Sequence, residues 1–455
     1  MSFPLEANEM QTVAIQARRF RAPKQTPNRI LYLCEMFPYE INIRNLVVDP
    51  SQLTQYAREA NEHEPGWDGP GCLVLLACAL ASSSHAYSAA TARNFAEGSR
   101  QRLESLPNSL LAIQYAYLAG LYEQYVMRPE SAWGRLQDAC VRFQTLPHIE
   151  ASSPNSANDE DRGSGTLRQR LYWSCVKAEF ELRAELMYSS SSVAAEFEIL
   201  HRKVTSEMAT GINAVTPESL NFFGSDENPS TRSCRSTKYH EEDLLRGAMS
   251  HIMNDIYSKS WAGWIPELPN LIKKCAEYGD LLETWRKWLY LSLAFPHPLS
   301  KTPSAPKVAD SAESFLLQVN YLCIVELLHR PFFACVLSRH DCIKSVGHQV
   351  LIPLAQQYLQ ASCALIQLVA AAYFRYEGTW TLVRRSFGCS LALLAAVRFN
   401  HRYRNSSTEP LPVPREWRKI LQISIDTIWR WERPGVEDLP WMRRILEHML
   451  EVVEK

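Results

Sequence analysis

The segment RQRLYWSCVKAEFELRAEL, residues 168–186, gathers side chains with chemical capacity into a short stretch. Arg168 and Arg170 could hold carbonyl or phosphate oxygens, and Tyr172 and Trp173 could stack. Cys175 could act as a thiolate, and Glu179, Glu181 and Glu185 could supply a general acid and base. A second reading competes. Glu179 and Arg183 stand at the i,i+4 spacing of a surface ion pair, so the carboxylates read as a solvated helix face.

Other chemistry fails on spacing. A tetrahedral zinc site needs thiolates in close pairs, usually C-x2-4-C, and the chain has no such pair. The nearest approaches are Cys72 with Cys78, and Cys335 with His340 and Cys342; buried or loop cysteines are the expectation for both, with no metal. The sequence holds no G-x-S-x-G elbow, H-E-x-x-H, G-x-G-x-x-G or G-x-x-x-x-G-K-[ST]. GWDGPG, residues 66–71, is glycine-rich, but Trp67 and Pro70 would obstruct a phosphate cradle, so it reads as a turn feeding a helix that begins near Cys72. No catalytic residue is assigned, and no cofactor.

Charge narrows the partners. With 48 Lys and Arg against 49 Asp and Glu, the formal net charge is -1, and no global positive field draws the chain onto nucleic acid. A local basic stretch, Arg18, Arg19, Arg21, Lys24 and Arg29 around Phe20, could hold phosphates, serve in nuclear import or form a solvated arm.

The elements that must position these residues are helical. In PNSLLAIQYAYLAGLYEQYVM, Leu111, Tyr115, Leu118, Tyr122 and Tyr125 recur at three- and four-residue steps, with Pro107 and Asn108 at the start and Pro129 at the end. In EEDLLRGAMSHIMNDIYSKSW, Leu245, Met249, Ile252 and Ile256 form a stripe, and the acidic run Glu241–Asp243 suits a helix N-terminus. A third helix, rich in Leu and Trp, runs from Leu271 to Leu293. Glycine is scarce, 17 of 455 residues against a usual ~7%, which favours helices joined by longer loops. Period-two alternation bounded by hairpin turns is nearly absent.

Polar stretches at 151–165, 225–238, 296–307 and 404–414 bury too little apolar surface and read as surface loops. Two uncharged stretches, 69–92 and 345–374, are too interrupted by polar residues to span a bilayer and read as buried helices. No charged and then apolar leader opens the sequence, so the 12 cysteines are expected to meet a reducing compartment as small buried hydrophobes. The expected architecture is an all-α, large multi-helix, bundle-like regulatory domain with long polar loops. It divides into an N-terminal arm, 1–65, and a helical body, 66–455.

Segment 168–186 resembles the middle homology region of fungal transcription factors of the binuclear zinc-cluster class, through Arg168, Arg170, Tyr172, Trp173, Cys175, Glu179, Glu181 and Glu185. Further segments agree in order. GCLVLLACALAS is similar to the family's first apolar helix. Gln114, Leu118, Tyr122, Pro129, Ala132, Trp133 and Ala139 match its next pair, and Arg330, Pro331 and Phe332 its Arg-Pro-hydrophobic step. The likeness extends from about Cys72 to the last helix, TIWRWERPGVEDLPWMRRILEHML. Packing roles follow for these residues: Trp173 in a deep core position, Arg168 or Arg170 on carbonyls at a neighbouring helix end, and Pro331 turning the backbone just after a buried helix.

The family's six-cysteine zinc cluster is missing, since Cys34 alone precedes residue 72. The resemblance implies a non-enzymatic regulator of fungal metabolic or secondary-metabolite genes, located in the nucleus with the cytoplasm as alternative. Its implied partners are proteins of the transcription machinery or a zinc-cluster co-regulator, and a small-molecule effector; a homodimer fits the class. Neither direct sequence-specific DNA binding nor a membrane partner is expected. Two alternatives stay open: a truncated zinc-cluster DNA-binding factor, and an enzyme built on the same scaffold with a pocket lined by Trp and Tyr.

Overall fold

The computed structural model describes residues 29–42, 45, 47–84, 89–103, 108–151, 161–186, 229–257, 261–289, 291–299, 308–309, 311–338, 348–372, 378–403, 410–432 and 438–454. All regular structure among them is helical. The first seven helices are α1 (Arg29–Glu40), α2 (Pro50–His63), α3 (Gly69–Ser84), α4 (Ala89–Leu103), α5 (Leu110–Tyr125), α6 (Pro129–Ala151) and α7 (Asp161–Leu186). After them come α8 (Pro229–Ile256), the short α9 (Trp261–Trp264), α10 (Leu268–Trp288), α11 (Ala312–Ser338), α12 (His348–Ala371), α13 (Thr379–Arg402), α14 (Trp417–Trp431) and α15 (Asp438–Glu454).

Two groups of helices share one apolar core. In the first, α3 packs against α1, α2, α4 and α5, and α5 lies along α6. In the second, α12 runs against α11, α13 and α14, while α8 and α10 cover α11. Helix α13 touches α5 and α7 as well as its own group and so joins the two.

Local chemistry explains the element ends. The Ser109 side chain accepts a hydrogen bond from the Ala112 N–H at 3.3 Å and opens α5, one of the orphan donors of a helix start being met in this way. At the other end Met127 adopts φ 63°. Its N–H bonds the Gln124 carbonyl at 3.0 Å, and the Arg128 N–H reaches Glu123 at 2.8 Å. These are the two bonds of a left-handed helix stop, here built without the usual glycine. Pro129 is the first residue of α6 rather than the terminator of α5, a position where its missing N–H is harmless.

Helices α1 and α2 pack against α3, with Leu33, Phe37, Leu53 and Ala57 fully or almost fully buried. Several expectations need correction. Of the basic stretch, Arg29 sits over the Phe95 ring at 5.9 Å, while Arg18, Arg19, Arg21 and Lys24 lie outside the described residues. Helix α7 begins at Asp161 and α8 at Pro229, so residues 161–165 and 229–238 are helical rather than loop. The early start of α8 puts Glu241 and Glu242 deep inside the helix, not at its N-terminus.

The stripe on α8 is as expected: Leu245, Met249, Ile252 and Ile256 are all buried. The uncharged stretches coincide with α3 and α12 of the core. Two other helical segments, Glu313–Ser338 and Thr379–Arg402, are long and apolar enough to cross a membrane, and 78% and 61% of their apolar windows are covered by the rest of the protein.

Candidate functional site

Four helices enclose a cavity of ≈ 70 Å³. Each turns one face to it, because residues three and four apart share a helix surface. Helix α7 supplies Lys177 and Glu181, and α8 supplies Glu242, Leu245, Arg246 and Met249. Helix α11 adds Leu316, Asn320 and Cys323; Gly378, Thr381, Leu382 and Arg385 come from α13 and the residue before it. The lining thus mixes ionic and aliphatic side chains.

The ionic side chains form a network. Glu242 Oε2 accepts from Arg246 Nη2 at 2.8 Å and lies 3.5 Å from Lys177 Nζ. The same Arg246 nitrogen lies 3.6 Å from Glu181 Oε1. Next to it, Arg385 donates through Nε and Nη2 to Glu185 Oε1 at 2.9 and 2.5 Å. The Arg385 side chain is 9% exposed and that of Glu242 4%, so these are interior charges, held because they are paired. Nη1 of Arg385 is buried with no nitrogen or oxygen acceptor among the described residues, and the Cys323 sulfur lies against the same guanidinium.

Burial works against the Arg385 charge, yet the Cys323 sulfur and the Glu185 and Glu326 carboxylates hold the guanidinium above its usual range. The Cys323 thiol is pushed up by burial, against the pull of Arg385, and stays protonated. Behind the cavity the Trp285 indole donates to Glu241 Oε2 at 2.5 Å and ties α10 to α8.

The quoted segment is therefore split between two faces of α7. Lys177, Glu181 and Glu185 serve the ionic network, whereas Glu179 is fully buried beside the Cys140 thiol, 3.6 Å from its sulfur. The solvated-face reading fails for Glu179, which α6 covers, while Glu181 and Glu185 are partly buried and face cations of α8 and α13. The Cys175 thiol is pushed up by the hydrogen bond it donates to the Cys140 sulfur and by burial. Trp173 is half-buried, not deep in the core, and meets Tyr172 edge-on at 5.4 Å. Arg168 lies over the Phe143 ring at 5.8 Å, and the Arg170 carbonyl accepts from Ser174 at 2.8 Å.

Pro331 does not turn the chain. Helix α11 continues through it to Ser338, with Phe332 buried and Arg330 paired to Glu326 at 2.8 Å. The proline lacks the N–H that would meet the Leu327 carbonyl one turn back. The Tyr257 hydroxyl, just past the end of α8, donates to that oxygen at 2.7 Å.

Cys72 and Cys78 do not converge. The Cys72 thiol faces the Ser99 carbonyl at 3.8 Å, and Cys78 faces the Cys34 sulfur at 3.7 Å. Cys335 is buried in α11; His340 and Cys342 lie outside the described residues.

Sequence reasoning missed Arg246, Glu242 and Arg385. A signal for the last was present: Arg384 and Arg385 interrupt a run that is otherwise apolar and neutral from Trp380 to Val397, and a charge in such a run needs an interior partner. No protein family, curated protein or solved structure matches the chain at a significant level.

Proposed function

We propose that this chain is a nuclear transcription regulator of the fungal zinc-cluster type, lacking a DNA-reading cluster of its own, in which the charged cavity is the effector site. One observation carries the reading: the segment that resembles the family's middle homology region, residues 168–186, is the one that supplies Lys177 and Glu181 to the cavity and Glu185 to Arg385. The likeness and this mixed-charge cavity thus meet on a single helix.

The chemistry favours binding over catalysis. Among the described residues lining the cavity, the one strong nucleophile is Cys323, and burial keeps it a thiol. The carboxylates are paired with cations, which suits them to exchange partners. An effector seated among Lys177, Glu181, Glu242 and Arg246 competes for these pairs and biases one packing of α7 and α8 against α11 and α13. The changed outer surface is what a partner of the transcription machinery reads.

The test is a tethering assay. The full chain, fused to an unrelated DNA-binding module, is expected to change transcription of a reporter carrying that module's site. E185Q, folded by circular dichroism, is expected to shift the response. A reporter indifferent to the tethered chain in fungal nuclei overturns the proposal.

A further inference from the structure

We infer that the cavity takes a small zwitterion: an amino carboxylic acid with a short aliphatic tail. The inference rests on the effector-site reading above and adds the chemical class of the ligand.

The lining dictates the class. Its ionic groups are the cations Lys177, Arg246 and Arg385 and the carboxylates Glu181 and Glu242. Glu185 behind Arg385 brings the carboxylates to three against three cations; outside them Arg384, 3.8 Å from Glu185, is open to water, and Glu326 is matched by Arg330, so the shell is close to self-neutralised. A ligand of net charge would leave one unit uncompensated in a poorly solvated place, which is costly. A neutral apolar ligand would strip water from five ionic groups and replace none of its hydrogen bonds. A molecule carrying both signs, a bond or two apart, meets both demands. Its carboxylate takes the guanidinium and ammonium donors, and its ammonium takes Glu181 and Glu242, which converge on the one Arg246 nitrogen at 3.6 and 2.8 Å.

Two further features fit. Asn320 and Thr381 line the cavity with no side-chain hydrogen-bond partner among the described residues, and they offer neutral donors and acceptors to the ligand's polar end. Between the ionic groups stand Leu245, Met249, Leu316 and Leu382, which suit a tail of a few carbons. Size limits the ligand: the cavity of ≈ 70 Å³ is about half the roughly 150 Å³ that takes benzene, so it seats the charged head and first carbons, and the rest of a short tail lies towards its open side.

The experiment is calorimetry on the full chain with glycine, L-alanine, L-valine and L-leucine, beside 3-methylbutanoate and isobutylamine, which are valine without its ammonium and without its carboxylate. Saturable binding of valine is expected, tighter than either truncated probe by roughly tenfold or more, since each loses charge-assisted hydrogen bonds. E181Q, checked for folding by circular dichroism, is expected to lower valine affinity towards that of 3-methylbutanoate; K177Q is expected to weaken 3-methylbutanoate more than isobutylamine. The proposal is overturned if either truncated probe binds as tightly as valine, or if none of the four amino acids binds saturably. Because the reporter assay needs no added ligand, a tethered chain that drives transcription without binding an amino acid removes the ligand class alone. Binding with an indifferent reporter removes the regulatory reading alone.

Discussion

Tyr257 and Pro331 form a donor substitution across two helices: the proline withholds an N–H from the Leu327 carbonyl, and the tyrosine hydroxyl supplies one at 2.7 Å. A kink-prone residue is thereby kept inside a continuous helix. Arg330 also sits 6.0 Å from the centre of the Tyr257 ring, so the same tyrosine braces the turn from the side.

Y257F should leave that carbonyl without its donor and lower stability by about 1–3 kcal/mol. In the P331A background the backbone supplies the donor, and Y257F should then cost markedly less. Urea unfolding of the four chains measures the coupling; additivity within error would show that Tyr257 does not compensate for the proline.

Arg385 and Glu185 are a buried pair with side chains 9% and 13% exposed. Removing one member strands the other, so E185M and R385M should each destabilise by about 3–5 kcal/mol. The double variant should recover much of that loss, because two apolar side chains of similar length pack where two ions stood. Equal loss in single and double variants would place the cost in packing rather than in charge.

His329 gives the fold a pH dependence. It is buried, with Nδ1 2.7 Å from the Val325 carbonyl and Nε2 3.6 Å from the Cys275 sulfur. Burial lowers its pKa from 6.5, against the opposing hydrogen bonds to Val325 and Gln357. The neutral ring is the folded form, so its contribution is complete above the unfolded pKa of 6.5 and declines as pH falls below it. Glu283, held down to about 2 by Arg286 and Tyr321 against the opposing effect of its burial, enters only below 4.5. Between these limits the unfolding free energy of the native chain should fall by at most about 1.4 kcal/mol per pH unit on account of His329. H329Q should flatten the profile from 6.5 down to 5; an unchanged slope would assign the dependence to another group.

Gly120 lets α5 approach α6. A Cβ built there would stand 2.8 Å from Leu136 Cγ, closer than packed carbons allow. G120A should therefore destabilise by about 1–3 kcal/mol despite the better helix propensity of alanine. Smaller Leu136 should relieve it: L136V combined with G120A should cost less than the sum of the two changes, measured by thermal unfolding.

Much of the helical body was legible because burial imposes a period. The run from Leu111 to Tyr125 and the Leu245–Ile256 stripe need only their own spacing to be recognised. What spacing cannot show is the neighbour. Glu179 and Arg183 look like a solvent-exposed couple until α6 is placed over Glu179, and Glu241–Asp243 look like an N-terminal acidic turn because the polar residues from Pro229 onward conceal the helix ahead of them. Pro331 was misread for a related reason: a proline in a helix is tolerated where another side chain serves the freed carbonyl, and Tyr257 is 70 residues from Leu327. The cavity was legible only in part, one wall lying in the segment that drew notice and the others arriving from α8, α11 and α13.

Glu185 and Arg385 stand 200 residues apart. At synthesis rates of about 5–20 residues per second, the carboxylate leaves the ribosome on the order of 10–40 s ahead of the guanidinium. For that interval the nascent first half carries an anion on a surface destined for the interior, where it has no counterion. Helix α13, which touches both helical groups, begins at Thr379, so the contacts it makes between them can form only after most of the chain has been made.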